Sequence, residues 1–159
     1  MKAEVRVCFY DSTKLQGWRK WVVRILSGSY HSHVHIELRS HDSKLVLLTM
    51  DGLQPRVIKL GLNRKFVGVD PYGEFSFGEV ELDYEQDNLF ISEYPATYHW
   101  TLIWYQMKRW FNCEDKKNIP PTCATFVSDF LEQYEIYIPR FFSPKQLWSY
   151  LHDGLNDRR

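Results

Sequence analysis

Ser32-His-Val-His-Ile-Glu-Leu38 sets Val34, Ile36 and Leu38 in alternation with His33, His35 and Glu37. A period of two marks a strand with one apolar and one polar face, half-buried in a sheet. The flanking segments supply the rest of that sheet. Upstream, residues 5–10 (VRVCFY) are β-branched and aromatic and stop at Asp11-Ser12, which predicts a first strand. Downstream, residues 45–50 (LVLLTM) end in Asp51-Gly52, and residues 54–60 form another short strand interrupted by Pro55, so the three make a meander. Residues 65–82 carry one or two more strands around Asp70-Pro-Tyr-Gly, and residues 83–88 read as a solvated acidic loop.

Helical spacing appears between and after these strands. In residues 15–26, Trp18, Trp21, Val22, Ile25 and Leu26 recur every three or four positions before Ser27-Gly28, which predicts an amphipathic helix packed on the sheet. Residues 96–111 carry Trp100, Ile103, Trp104, Met107 and Phe111 at the same spacing after Pro95, and an aromatic stripe of this kind is expected in the core. A polar loop over residues 112–121 ends in Pro120-Pro121 and feeds a third helix. Residues 144–152 form a last short helix, with Ser143 as its N-cap. The expected fold is α+β, one domain over residues 1–159: an antiparallel sheet of about five strands with the third helix packed on it.

The chain is long enough to bury a core without disulfides or metals, and 44% hydrophobic with 16% aromatic residues excludes a disordered chain. Twenty basic and twenty acidic residues cancel, so no global field points to nucleic acid or to an anionic membrane, and partners have to be argued locally. No run approaches the ~20 apolar residues that cross a bilayer, and the first residues lack a signal-peptide stretch. Three cysteines, Cys8, Cys113 and Cys123, cannot all pair and lack the spacing of a zinc knuckle or a redox CxxC. These features predict a soluble cytoplasmic protein in a reducing compartment.

One cysteine stands in a reactive position. Thr122 follows two prolines and precedes Cys-Ala-Thr-Phe-Val-Ser-Asp-Phe-Leu131, so it is the natural N-cap and Cys123 falls in the first turn. Unsatisfied N–H groups and the helix dipole there favour a thiolate, which predicts a lowered thiol pKa, and the same groups can hold an oxyanion. Phe126, Val127, Phe130 and Leu131 give this helix a face with which to pack. Cys8, inside a strand, reads as a small buried hydrophobe.

A thiol nucleophile needs a base, and histidine titrates near neutrality. His99 and His152 lie in helices and His41 in a polar turn, whereas His31, His33 and His35 fall on one side of an extended segment with Glu37. That cluster suits two sites, a cysteine hydrolase in which one histidine meets Cys123, or a metal site built on His-x-His-x-His with Glu37. A polar solvent-facing strand is the plainer alternative.

Tyr30-His-Ser-His-Val34 and Thr122-Cys-Ala-Thr-Phe-Val127 together resemble the circularly permuted papain-like cysteine hydrolases. That family includes lecithin:retinol acyltransferase and bacterial relatives of cell-wall amidases and endopeptidases, and its histidine strand precedes its cysteine helix. The helix before Ser-His-Val, the Asp51-Gly52 turn and Ser143-Pro-Lys-Gln-Leu147 follow in the same order, closest to bacterial and phage members. The resemblance implies His33 as base, with a third polar residue from the next strand to orient it. Leu45, Val46, Leu47 and Leu48 fill much of that strand, which leaves Thr49 or Asp51. Glu37 lies ~13 Å along the same strand from His33 and cannot orient it, while His35, at ~6.6 Å, shapes the pocket or binds substrate beside Thr122.

The expected reaction is attack of Cys123 on an amide, ester or thioester, with no cofactor and with a peptide, a protein or an acylated small molecule as substrate. Two other readings stand beside it. One is a metal-dependent hydrolase or metal-binding protein using His31, His33 and His35 with Glu37 or a distant carboxylate. The other is a silent interaction protein presenting Tyr94, Tyr98 and Trp104 to a partner.

Overall fold

The computed structural model describes residues 2–11, 31–40, 44–51, 54–61, 71–97 and 99–156. Strands β1 (Lys2–Asp11), β2 (His31–Ser40), β3 (Lys44–Asp51), β4 (Gln54–Gly61) and β5 (Gly73–Glu81) form one antiparallel sheet of order β4-β3-β2-β1-β5. Four helices follow among the described residues: α1 (Tyr84–Glu93), α2 (His99–Trp110), α3 (Cys123–Glu132) and α4 (Pro144–Asn156). The expected α+β class with an antiparallel sheet is thus observed. The helix expected over residues 15–26 lies outside the described residues.

Register decides which residues meet. Val5, Val7 and Phe9 of β1 face Leu38, Ile36 and Val34 of β2, and Ile36 pairs with Leu48 of β3. These side chains make one apolar face, against which Ala124, Phe126, Val127, Phe130 and Leu131 of α3 and Leu147 and Leu151 of α4 are buried. Alternation sends Cys8, Tyr10, His35, Glu37 and Thr49 to the opposite face, where they too are buried. The polar side of β2 is therefore not a solvated strand surface, and its polar groups need internal partners.

Two elements depart from the expectation. Residues 83–88, expected to be a loop, begin α1: the Asp83 carboxylate accepts from the N–H groups of Glu85 and Gln86, and Glu85 and Asp87 in the first turn suit the positive end of the helix. Acidic composition had the look of solvation but was capping chemistry. In α2 the aromatic stripe faces outward. Tyr105 and Gln106 are its buried residues, while Trp100, Trp104, Met107 and Phe111 are exposed. Of the three aromatics offered as a partner surface, Trp104 is exposed, Tyr94 is buried, and Tyr98 lies outside the described residues.

Near the start of β5 the sheet is closed by Trp148 of α4, whose ring lies 5.2 Å from Phe9, 5.1 Å from Tyr72 and 5.1 Å from Phe75 between centroids. This is possible because residue 73 has no side chain: a Cβ there would stand 2.3 Å from two ring carbons of Trp148. An indole ring cannot flex away, so Gly73→Ala is expected to destabilise by ~1–3 kcal/mol, the usual cost of overpacking. Urea denaturation measures it, and an unchanged midpoint would mean that Trp148 repacks without strain.

Candidate active site

α3 is held at its first turn more firmly than its sequence shows. Thr122 is the N-cap: its Oγ1 accepts from Thr125 N–H at 3.2 Å, and Thr125 Oγ1 accepts from Thr122 N–H at 2.6 Å, a reciprocal capping box. Thr97 Oγ1 donates to Pro121 O at 2.6 Å and fixes the preceding loop. Further along, Ser128 Oγ donates to Pro139 O at 3.1 Å, and Asp129 accepts from Tyr94 and pairs with Arg140. Cys123, the first residue of the helix, thereby has a fixed origin.

Three backbone N–H groups act on the Cys123 sulfur, those of Val34, Ala124 and Cys123 itself. The first comes from β2, in the peptide unit that directly follows His33. The described ladder between β2 and β3 starts two residues later, at Ile36. The Val34 N–H thus sets the sulfur against the backbone of β2, at the peptide that follows His33.

Burial nevertheless decides the thiol's titration. It pushes Cys123 up to about 11, and the three N–H groups, acting in the opposite direction, only reduce the rise. The lowered pKa expected from the helix start is overturned: an N-terminal dipole contributes tenths of a kcal/mol to about one, less than the cost of desolvating a thiolate.

His33 is partly buried and its Nε2 is hydrogen-bonded to Thr49 Oγ1 at 2.7 Å. Thr49 itself is fully buried, on the polar face that alternation assigns it next to Leu48. Burial, and secondarily the nearby His35, push the His33 imidazole down to about 3. The pair at this end of β2 is therefore neutral thiol and neutral imidazole across the physiological range. Asp51, the other candidate orienter, ends β3 opposite Gln54.

His35 lies deeper. It is fully buried, its Nε2 lies 3.4 Å from Tyr10 OH and 3.5 Å from Glu37 Oε1, and its ring is 6.1 Å from that of His33. Its described partners are thus protein groups, and no part of it is open to a substrate. Burial acts to raise the Glu37 carboxyl, but bonds from His35 and Arg39 outweigh it and hold the group below its usual range. Cys8, opposite His35 in the register, is pushed well up by burial and by the Glu37 charge, so it stays a thiol. Tyr10 and Cys8 meet His35 and Glu37 through the β1–β2 register, which the sequence does not show, whereas Arg39 follows Glu37 by two on the same face of β2, a signal that alternation did offer.

Among the described residues, the set able to ligate a metal is Cys8, His35 and Glu37, with ligand atoms within 4.8 Å of one another. It shares His35 and Glu37 with the set expected from spacing, but has Cys8 in place of His31 and His33, and the side chain of His31 lies outside the described residues. Arg39 already occupies Glu37 Oε2 at 3.0 Å. The group reads as a hydrogen-bonded brace between β1 and β2.

The two depressed groups set an acid limit. Between pH 6.5 and about 3 the unfolded chain binds a proton at His33 that the folded chain does not, so stability falls as pH drops. Glu37, lowered on folding, loses its contribution in the same direction below 4.5. Each pH unit costs up to ~1.4 kcal/mol for His33. Urea midpoints of wild type should therefore fall between pH 7 and pH 5, and His33→Gln should remove most of that fall; equal slopes would show that His33 titrates alike in both states.

Comparison with known protein families, with curated proteins and with solved structures found no match to this chain.

Proposed function

We propose that this chain is a thiol hydrolase or acyltransferase of permuted papain-like architecture, with Cys123 as nucleophile, His33 as base and Thr49 as the residue that orients the imidazole. The observation that supports it is the position of the Cys123 sulfur on the Val34 N–H, one peptide from a histidine whose Nε2 is bound to a buried threonine. Thr49 on Nε2 makes Nδ1 the nitrogen that serves the thiol. In this reading the S–H proton passes to His33 as sulfur bonds to the carbonyl carbon of an amide, ester or thioester. The oxyanion is held by the N–H groups that now surround the sulfur. The bond to the leaving group breaks as His33 returns the proton to it, and water or an acceptor amine or alcohol then releases the acyl group. A peptide, a protein or an acylated small molecule suits this chemistry. The three free thiols favour a reducing compartment such as the cytoplasm.

The test is capture of the acyl-enzyme from p-nitrophenyl acetate at neutral pH, with the acetylated cysteine located by peptide mass. Acetyl on Cys123 with a burst of nitrophenolate is the expected result, unaffected by EDTA. Acetyl confined to the exposed Cys113 would remove Cys123 as the nucleophile, and loss of the burst with EDTA would favour a metal site at Cys8, His35 and Glu37 instead.

A further inference from the structure

Helix α2 is amphipathic in the inverted sense. Its inward side is polar and aromatic: Tyr105 lies 4.8 Å from Phe142 between ring centroids and donates its hydroxyl to Asp115 O, while Arg109 stands over the Phe142 ring and bonds Gln106 Oε1. Its outward side repeats at the fourth, seventh and eleventh positions after Trp100, which confines Trp104, Met107 and Phe111 to roughly 60° of the circumference at ~3.6 residues per turn. Trp100 is 80% exposed, Trp104 60% and Phe111 75%. Trp110, also exposed, lies to one side. Large contiguous aromatic surface of this kind marks an interaction site.

The charge around the stripe is net basic. From His99 to Asn118, Lys108, Arg109, Lys116 and Lys117 outnumber Glu114 and Asp115, in a chain whose total charge is zero. Lys108 Nζ sits 5.6 Å above the Trp104 ring, at the rim of the stripe. Beside it, between α2 and α4, a groove of about 570 Å3 is lined by Gln106, Arg109, Trp110, Ser143, Lys145 and Ser149 among others, with no acidic side chain. Basic side chains with hydroxyl and amide donors suit a phosphate headgroup, and tryptophan prefers the headgroup zone of a bilayer. Twelve residues make a helix of ~18 Å, too short to span a bilayer and suited to lie along its surface.

We propose that α2 docks the chain on an anionic phospholipid surface, the indoles and Phe111 entering the headgroup layer while Lys108 at the rim of the stripe and Lys145 in the neighbouring groove meet the phosphates. This does not depend on the thiol chemistry, so Cys123→Ala should bind vesicles as wild type does. The full chain is floated with vesicles of phosphatidylcholine alone and of phosphatidylcholine mixed with phosphatidylglycerol, with tryptophan emission recorded. Expected are flotation and a blue shift with the mixed vesicles, weakened by salt. Trp100→Ser with Trp104→Ser should abolish both, and Lys108→Gln with Lys145→Gln should weaken binding by roughly tenfold or more. The Trp residues are exposed, and an unchanged urea midpoint confirms that these variants remain folded. Absence of flotation would overturn the proposal. So would a dimer in solution that the Trp substitutions dissociate without any vesicle binding, which would make the stripe a contact between two copies.

Discussion

Cys123→Ala is expected to abolish acyl capture from p-nitrophenyl acetate, leaving only slow background acetylation at Cys113. Its magnitude is total because the S–C bond has no other fixed thiol to form on: Cys8 is buried and held protonated, and Cys113 lies in an exposed turn. Losing one sulfur at a partly buried helix start should cost little stability, so the variant also separates chemistry from folding. Peptide-resolved mass measurement against wild type checks it, and undiminished capture would place the nucleophile elsewhere.

His33→Ala is expected to slow acylation of Cys123 by about 10²–10⁴, the usual contribution of a positioned general base. Thr49→Val removes one hydrogen bond to Nε2 and should cost about tenfold, since a single buried bond contributes on the order of 1 kcal/mol or somewhat more. The pH profile carries a sharper test. With His33 displaced to about 3 and Cys123 to about 11, both groups keep the required protonation state between those limits. Acylation by wild type should therefore be nearly flat from pH 5 to pH 9, as neither His33 nor Cys123 titrates in that window. A limb near 6.5 would show an imidazole titrating as it does in water, and the assignment of a buried base would fail.

How far the amino-acid string could carry this site depends on the range of the interaction involved. The alternation in β2 and the Thr122 cap were legible because each is decided within a few residues, by pleat geometry and by one side chain reaching the backbone three positions on. The Thr49 to His33 bond needed the pairing of β3 with β2, and the family resemblance left Thr49 and Asp51 both open, with a threonine as the weaker orienter. The thiol's titration was misjudged for a similar reason: the cap and dipole are local and visible, whereas the burial that outweighs them comes from packing α3 on the sheet. The α2 stripe shows the converse error. Helical spacing revealed one face and was silent about which way it turned, and Tyr105, outside the stripe, was the aromatic that packed against Phe142.

Burial of the Cys123 sulfur has a consequence for how the protein ages. Peroxide and disulfides attack through the thiolate, and a thiol titrating near about 11 is almost wholly protonated at neutral pH. A site poised as a thiolate–imidazolium pair would be oxidised between turnovers. On the proposed mechanism the sulfur anion forms only as the proton moves to His33, so the sulfur would stay reduced until there is a carbonyl to attack.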